Sequence, residues 1–232
     1  MNADAILLLF DIDGTLLSCQ GRGIRAMHRA VQRVFGRHPA AVEIRAGGKT
    51  DPMLFEEMAL AYGVPPSALE TRGAELREIY AEEFAAELRT TGTCDVKPGV
   101  PTLLAELAAR REVTLGLVTG NLERTARLKL DSARLGGYFR GGGFGSDARH
   151  RADLVGLAVE RCGAGAQRDP RRIWVIGDTP ADVEGGRAHG TCTLAVATGA
   201  ASRVELEATG ADAVFDDFTD TARVVDLLCH AS

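Results

Sequence analysis

Ala5 to Phe10 is an unbroken apolar run of strand length that stops at Asp11. A short run without polar alternation predicts a strand buried on both faces, as in a parallel sheet covered by helices. Comparable runs at Val113–Val118, Ile173–Ile176 and Thr191–Val196 end near Gly, Thr or Asp, and Ala213–Phe215 is a weaker one. Between these runs apolar positions recur at helical spacing in Pro101–Arg110, Leu122–Leu135, Asp153–Cys162, Pro180–His189, Ser202–Thr209 and Thr219–Cys229. Strand and helix in alternation predict a doubly wound α/β domain with a mostly parallel sheet, a Rossmann-like core.

One segment breaks the alternation. From Ser18 to Cys94 the periodicity is helical only, at Gly23–Phe35, Met53–Tyr62 and Ser67–Arg89. That stretch is far too long for an ordinary crossover, so it is expected to be an inserted helical subdomain, with Gly92–Gly99 as the return linker. The expected division is an α/β core of residues 1–17 and 95–232 and an all-helical cap domain of residues 18–94.

Composition narrows the class. Apolar residues make up 45% and charged residues 25% of the chain, which is the balance of a globular protein with a sizeable core. The net charge is −5, and the only lysines are Lys49, Lys97 and Lys129, so a nucleic-acid partner is not expected. The five cysteines, Cys19, Cys94, Cys162, Cys192 and Cys229, are odd in number, scattered and without CxxC spacing. Reduced thiols in a cytoplasmic protein are therefore the expectation, with neither a disulfide framework nor a zinc site. Met1–Asp4 carries an acid where a secretory signal carries basic residues, and no run is long enough to span a membrane.

The chemistry-bearing residues sit where the strands end, which is where an open α/β sheet places ligands. The first strand runs into Asp11-Ile12-Asp13-Gly14-Thr15-Leu16, another into Thr119-Gly120-Asn121, and a third into Gly177-Asp178-Thr179-Pro180-Ala181-Asp182. Carboxylates brought that close repel unless a cation or a shared proton compensates them. An all-oxygen cluster suits a hard cation such as Mg²⁺, which binds through one or two carboxylates, waters and substrate phosphate. Gly14 lets the chain turn, so Asp11 and Asp13 can be aimed differently and take two roles, nucleophile and general acid/base.

Asp11–Leu16 resembles the first motif of the haloacid dehalogenase-like hydrolase superfamily, Thr119 the second, and Gly177–Asp182 the fourth. The inserted helical segment resembles the cap of the phosphoglycolate phosphatase-like branch. The resemblance implies Asp11 as a nucleophile that forms an aspartyl-phosphate and Asp13 as the general acid/base. It implies Mg²⁺ held by Asp11, the Asp13 main-chain carbonyl and Asp178, with Asp182 in support. Thr119, Gly120 and Asn121 would hold the phosphoryl oxygens. The third motif, usually a lysine, falls in Gly145–Leu154, which contains none; Arg151 is its expected substitute and Arg149 the rival. Asp13 favours phosphate esters, whose alkoxide leaving group needs a proton.

The expected function is a Mg²⁺-dependent phosphatase acting on a small phosphate monoester, as a monomer or homodimer. A phosphosugar mutase is the alternative within the same chemistry, and a non-catalytic binding protein on the same fold is another. In the cap, Gly47-Gly48-Lys49-Thr50-Asp51 resembles a substrate-facing loop. Lys49 meets a second anionic group of the substrate on this view, or Thr50 or Asp51 simply caps the helix that follows. Gly141–Gly145 lacks a following GKS or GKT and reads as a turn beside the active edge.

Overall fold

A computed structural model of the chain describes residues 5–37, 44–163 and 169–230. The start of the chain, on which the absence of a secretory signal was judged, lies outside the described residues. The apolar runs become strands: β1 (Ile6–Phe10), β4 (Val113–Thr119), β6 (Ile173–Gly177), β7 (Cys192–Val196) and β8 (Ala213–Phe215). With β5 (Gly142–Phe144) they form one six-stranded sheet in the order β5-β4-β1-β6-β7-β8, and every pairing in it is parallel. β1 is flanked on both sides, which explains why all five of its residues are apolar and buried.

Its side chains alternate between two layers, as a strand's must. Leu8 and Phe10 join the core formed with α4 (Val100–Ala108), α5 (Glu123–Ser132) and α9 (Thr221–His230). Leu7 and Leu9 pack with Leu154, Val155 and Ala158 of α6 (Arg151–Gly163) on the opposite face. α7 (Pro180–Ala188) and α8 (Arg203–Ala208) flank the β6–β8 side, with Val183 and Leu206 in a third small core. This is a doubly wound α/β fold.

The Gly141–Gly145 stretch is not a turn. Gly142–Phe144 is a buried strand, although glycine disfavours strands. Backbone approach is the reason: a Cβ on Gly142 would lie 2.2 Å from the Leu117 carbonyl oxygen, and one on Gly143 would lie 2.1 Å from that of Leu154.

Three helices leave the sheet between two short strands. β2 (Leu17–Ser18) and β3 (Asp95–Val96) pair antiparallel, and α1 (Arg22–Phe35), α2 (Asp51–Ala61) and α3 (Pro66–Thr91) lie between them in sequence. α1 and α3 run antiparallel along a ladder of ion pairs, Arg25 with Glu87, Arg29 with Glu83 and Glu87, and Arg33 with Glu82 and Glu83. Under the ladder, Met27, Tyr80 and Phe84 continue the core that begins at β1.

The expectation of reduced thiols fails at the entrance to this insert. Cys19 and Cys94 form a disulfide, with their Cα atoms 4.5 Å apart. Their 75-residue separation hid the pair; the β2–β3 register, with Ser18 opposite Asp95, brings them together. Arg22 fastens the same crossing by donating to the Thr91 and Thr93 carbonyls.

Candidate active site

The register of the three central strands builds the site. Phe10 is level with Leu117 and Ile176, so the chain positions just beyond them, Asp11, Thr119 and Asp178, emerge side by side. The Asp11 amide still donates to the Ile176 carbonyl at 2.9 Å, which fixes where the first carboxylate leaves the sheet. Gly14 has φ +89°, a conformation that favours glycine, and the turn it allows carries Thr15 back so that its hydroxyl donates to Asp178 at 3.0 Å.

Asp11, Asp178 and Asp182 are all buried and offer oxygens within 4.8 Å of one another. Asp182 lies in the first turn of α7, where its Oδ2 accepts from both the main-chain N–H (3.1 Å) and the hydroxyl (2.6 Å) of Thr179. Arg151, at the start of α6, is the cation among them. Its Nη1 donates to Asp11 at 2.9 Å and to the Val118 carbonyl at 3.0 Å, and lies 3.3 Å from Asp182. Arg149 sits elsewhere, half-exposed and paired with Glu56 of α2.

One guanidinium does not neutralise this cluster. Burial pushes the Asp11 carboxyl up to about 7 against the pull of Arg151, with Asp182 and Asp13 adding to the rise. Asp178 is pushed up to about 8, by burial first and then by Asp11. Arg151 is held above its ordinary range, the attraction of Asp182 and Asp11 outweighing the burial that would lower it.

The donor set fits a hard divalent cation. It is all oxygen and net negative, and Asp182 Oδ1 is buried with no hydrogen-bond partner among the described residues, despite its ion-pair distance from Arg151. Space is kept as well: a Cβ on Gly199 would fall 1.6 Å from Asp178 Oδ2, and one on Gly14 would fall 2.3 Å from it. Side chains at either position would fill the ground beside the carboxylate.

Across from the acids, Asn121 Nδ2 donates to Thr119 Oγ1 (2.7 Å) and to Asp13 Oδ2 (2.6 Å). The insert covers this group. A Cβ on Gly120 would lie 2.3 Å from the Lys49 carbonyl oxygen, so only glycine lets the 47–51 loop approach, and the Asp51 amide donates to the Gly120 carbonyl at 2.7 Å. Between insert and core lies a cavity of about 540 Å³ that includes Asp11, Asp13, Lys49, Asn121 and Asp178 in its lining.

Lys49 borders that cavity, but its ammonium is paired with Glu57 at 2.8 Å. Asp51 caps a helix, though not its own. Its carboxylate accepts from the Leu122 amide (2.8 Å) and the Thr125 hydroxyl (3.4 Å), serving the first turn of α5 in the core. Burial pushes Asp51 up to about 6 against the opposing pull of Lys129.

Sequence reasoning passed over Lys129. Its side chain is only 5% exposed, and Nζ donates to Asp13 Oδ2 and Asn121 Oδ1, both at 2.6 Å. The signal was present: Thr125 and Lys129 stand four residues apart on one face of α5, and Asn121 lies four residues before Thr125, just ahead of the helix.

The chain is similar to known proteins along most of its length. A phosphoglycolate phosphatase of Pseudomonas putida is 26% identical over 91% of this chain and 76% of its own length. Phosphoglycolate phosphatase 1 of Pseudomonas aeruginosa is 29% identical over 83% of this chain and 70% of its own. The crystal structure of CbbY from Rhodobacter sphaeroides in complex with phosphate superposes with a TM-score of 0.71 at 20% identity, covering 93% of this chain and 96% of that one, which shows the shared fold. The model of the haloacid dehalogenase-like hydrolase family matches residues 7–190. The chain belongs to the haloacid dehalogenase-like hydrolases.

Proposed function

We propose that this chain is a Mg²⁺-dependent phosphatase that hydrolyses a small phosphate monoester through an aspartyl-phosphate on Asp11. The observation that carries the reading is the convergence of Asp11, Asp178 and Asp182 within 4.8 Å at the ends of the central strands, with Arg151 as their compensating cation. Asp11, Asp178 and the Asp13 main-chain carbonyl would hold Mg²⁺, with Asp182 in support; the ion supplies positive charge for the phosphoryl oxygens.

The chain's own residues do the rest. An Asp11 carboxylate oxygen forms a bond to phosphorus as the bond from phosphorus to the ester oxygen breaks, and Asp13 gives its proton to the departing alkoxide. Asp13, now a carboxylate, takes a proton from water as the water oxygen attacks phosphorus and the bond to Asp11 breaks. Inorganic phosphate leaves and Asp13 is again protonated. Arg151 orients Asp11 through Oδ1. Thr119 and the amides of Gly120 and Asn121 would hold the phosphoryl oxygens, while the first turn of α5 is taken by Asp51.

On this reading residues 18–94 act as the cap that closes over the substrate, and the protein works as a monomer or homodimer. Among the described residues no helix is long and apolar enough to cross a membrane. The relatives' activity puts 2-phosphoglycolate first among substrates.

The test is phosphate release from a panel of phosphate monoesters with and without Mg²⁺. Mg²⁺-dependent release, abolished in Asp11→Asn, is expected. Isomerisation of a hexose 1-phosphate without phosphate release would assign the mutase reaction instead, and no turnover with no bound metal would overturn the reading.

A further inference from the structure

We propose that Lys129 is a positioning residue for the general acid Asp13, an inference that rests on the acid role just given to Asp13. Lys129 belongs to α5 of the core, yet the insert buries it: its ammonium stands 5.7 Å from the centre of the Phe84 ring, and a Cβ on Gly23 would lie 4.0 Å from Nζ. A buried ammonium is costly unless it is paired. Its partners here are two residues of the site, Asp13 and Asn121, each at 2.6 Å.

The contacts form a closed fork. By donating to Asn121 Oδ1, Lys129 settles which way the amide faces, so that Nδ2 meets both Asp13 Oδ2 and Thr119 Oγ1. Asp13 Oδ2 thereby receives two donors, from Lys129 and Asn121. The Asp13 side chain remains 43% exposed toward the cavity, and among the described residues no hydrogen bond goes to its other oxygen. A carboxyl pinned by one oxygen presents the other at a fixed place, which is what proton transfer to a leaving group requires. All four residues of the fork belong to the core, and Phe84 and Gly23 of the insert stand over its ammonium.

A positioning role through Asp13 separates from a structural one by leaving-group dependence. The experiment compares pre-steady-state leaving-group release from 2-phosphoglycolate, an alkyl ester that needs a proton, with that from p-nitrophenyl phosphate, whose phenolate does not. Both are measured with Mg²⁺ in the unaltered chain, Asp13→Asn, Lys129→Met and the double variant, each checked for fold by circular dichroism. Lys129→Met is expected to lower the alkyl-to-aryl rate ratio by about 100-fold. In the Asp13→Asn background the same change is expected to alter that ratio within about 3-fold, because there is no acid left to position.

Lys129→Gln, which keeps a donor for Asp13, is expected to fall between, and it carries the same cycle if the methionine variant does not fold. An equal loss on both esters, or the same loss with and without Asp13, overturns the role of Lys129 alone. An unchanged ratio in Asp13→Asn, or no turnover of either ester by the unaltered chain, overturns the acid reading of Asp13 and this inference with it.

Discussion

The two walls of the cavity treat charge in opposite ways. On the core wall, three buried carboxylates share one arginine, and Asp11 and Asp178 are pushed up to about 7 and 8. On the insert wall Lys49 is matched by Glu57, and behind that wall Arg25, Arg29 and Arg33 are matched by Glu82, Glu83 and Glu87. A wall whose charges are already paired has little left for a ligand and contributes shape and closure. A wall left with excess buried negative charge is one whose compensation must come from outside the chain, as a cation and the groups the cation brings. Under the proposed function, the contrast puts the reaction on the core side and gives the insert an enclosing role.

The sharpest break in that contrast is Asp11→Asn. Turnover should fall by ~10⁴-fold or more, since the covalent step has no substitute. Removing one of the crowded charges should also raise the melting temperature of the metal-free protein at pH 8. A thermal melt beside the phosphate assay reads both, and a variant that is active or less stable would contradict the account of the core wall.

The next effect belongs to the bond that ties the two ends of the insert together. Opening Cys19–Cys94, by dithiothreitol or in a Cys19→Ser/Cys94→Ser variant, releases a 75-residue loop in the unfolded chain. Loop-closure entropy puts the loss of unfolding free energy at about 4 kcal/mol. Denaturant titration measures it. Cation affinity should not change, because Asp11, Asp178 and Asp182 are set by β1, β6 and α7, which do not include the linkers. A parallel loss of affinity would show that the crossing shapes the carboxylate cluster.

The core wall was legible because its chemistry follows from local sequence. An apolar run stopping at an acid fixes both a buried strand and the residue at its end, so Asp11, Thr119 and Asp178 could be placed before any coordinates. Arg151 and Arg149 could not be separated that way, since only the docking of α6 turns one toward Asp11 and the other toward Glu56. β5 was misread because its glycines serve backbone approaches to Leu117 and Leu154, which are tertiary facts. The disulfide depends on the β2–β3 register in the same way. Asp51 and Lys129 were hidden by convention: an acid before a helix reads as that helix's cap, and a lysine on an amphipathic helix reads as solvated.

Asp51 sharpens the comparison further because it is the buried acid by which the insert caps a helix of the core. Its carboxyl holds its proton up to about 6 in the folded state, against 3.8 for the ordinary group. Between those values the folded chain binds more protons than the unfolded one, so stability falls as pH rises through the window. The contribution is present in full below about pH 4 and lost above about pH 6. Asp11 and Asp178, also raised, lose stability through the same window, so chemical unfolding from pH 4 to pH 6 should show a loss that is smaller in Asp51→Asn by an amount on the order of 2 kcal/mol. An unchanged slope in the variant would place the titration elsewhere.

The smallest expected effect is on the ladder between α1 and α3. Arg29 donates to Glu83 at 2.8 Å and to Glu87 at 2.5 Å, but its side chain is 37% exposed, so solvent and salt screen both pairs. Arg29→Met keeps much of the aliphatic stem and removes the charge. Stability should drop by about 1 kcal/mol or less, and most of the difference should vanish in 1 M salt, where the Debye length is about 3 Å. Turnover should stay within 2-fold of the unaltered chain, because these charges are already matched by one another and hold none of the reacting groups. A loss of turnover comparable to that of a core-wall substitution would mean that the ladder's charge reaches the reaction, and the division of labour between the walls would have to be redrawn.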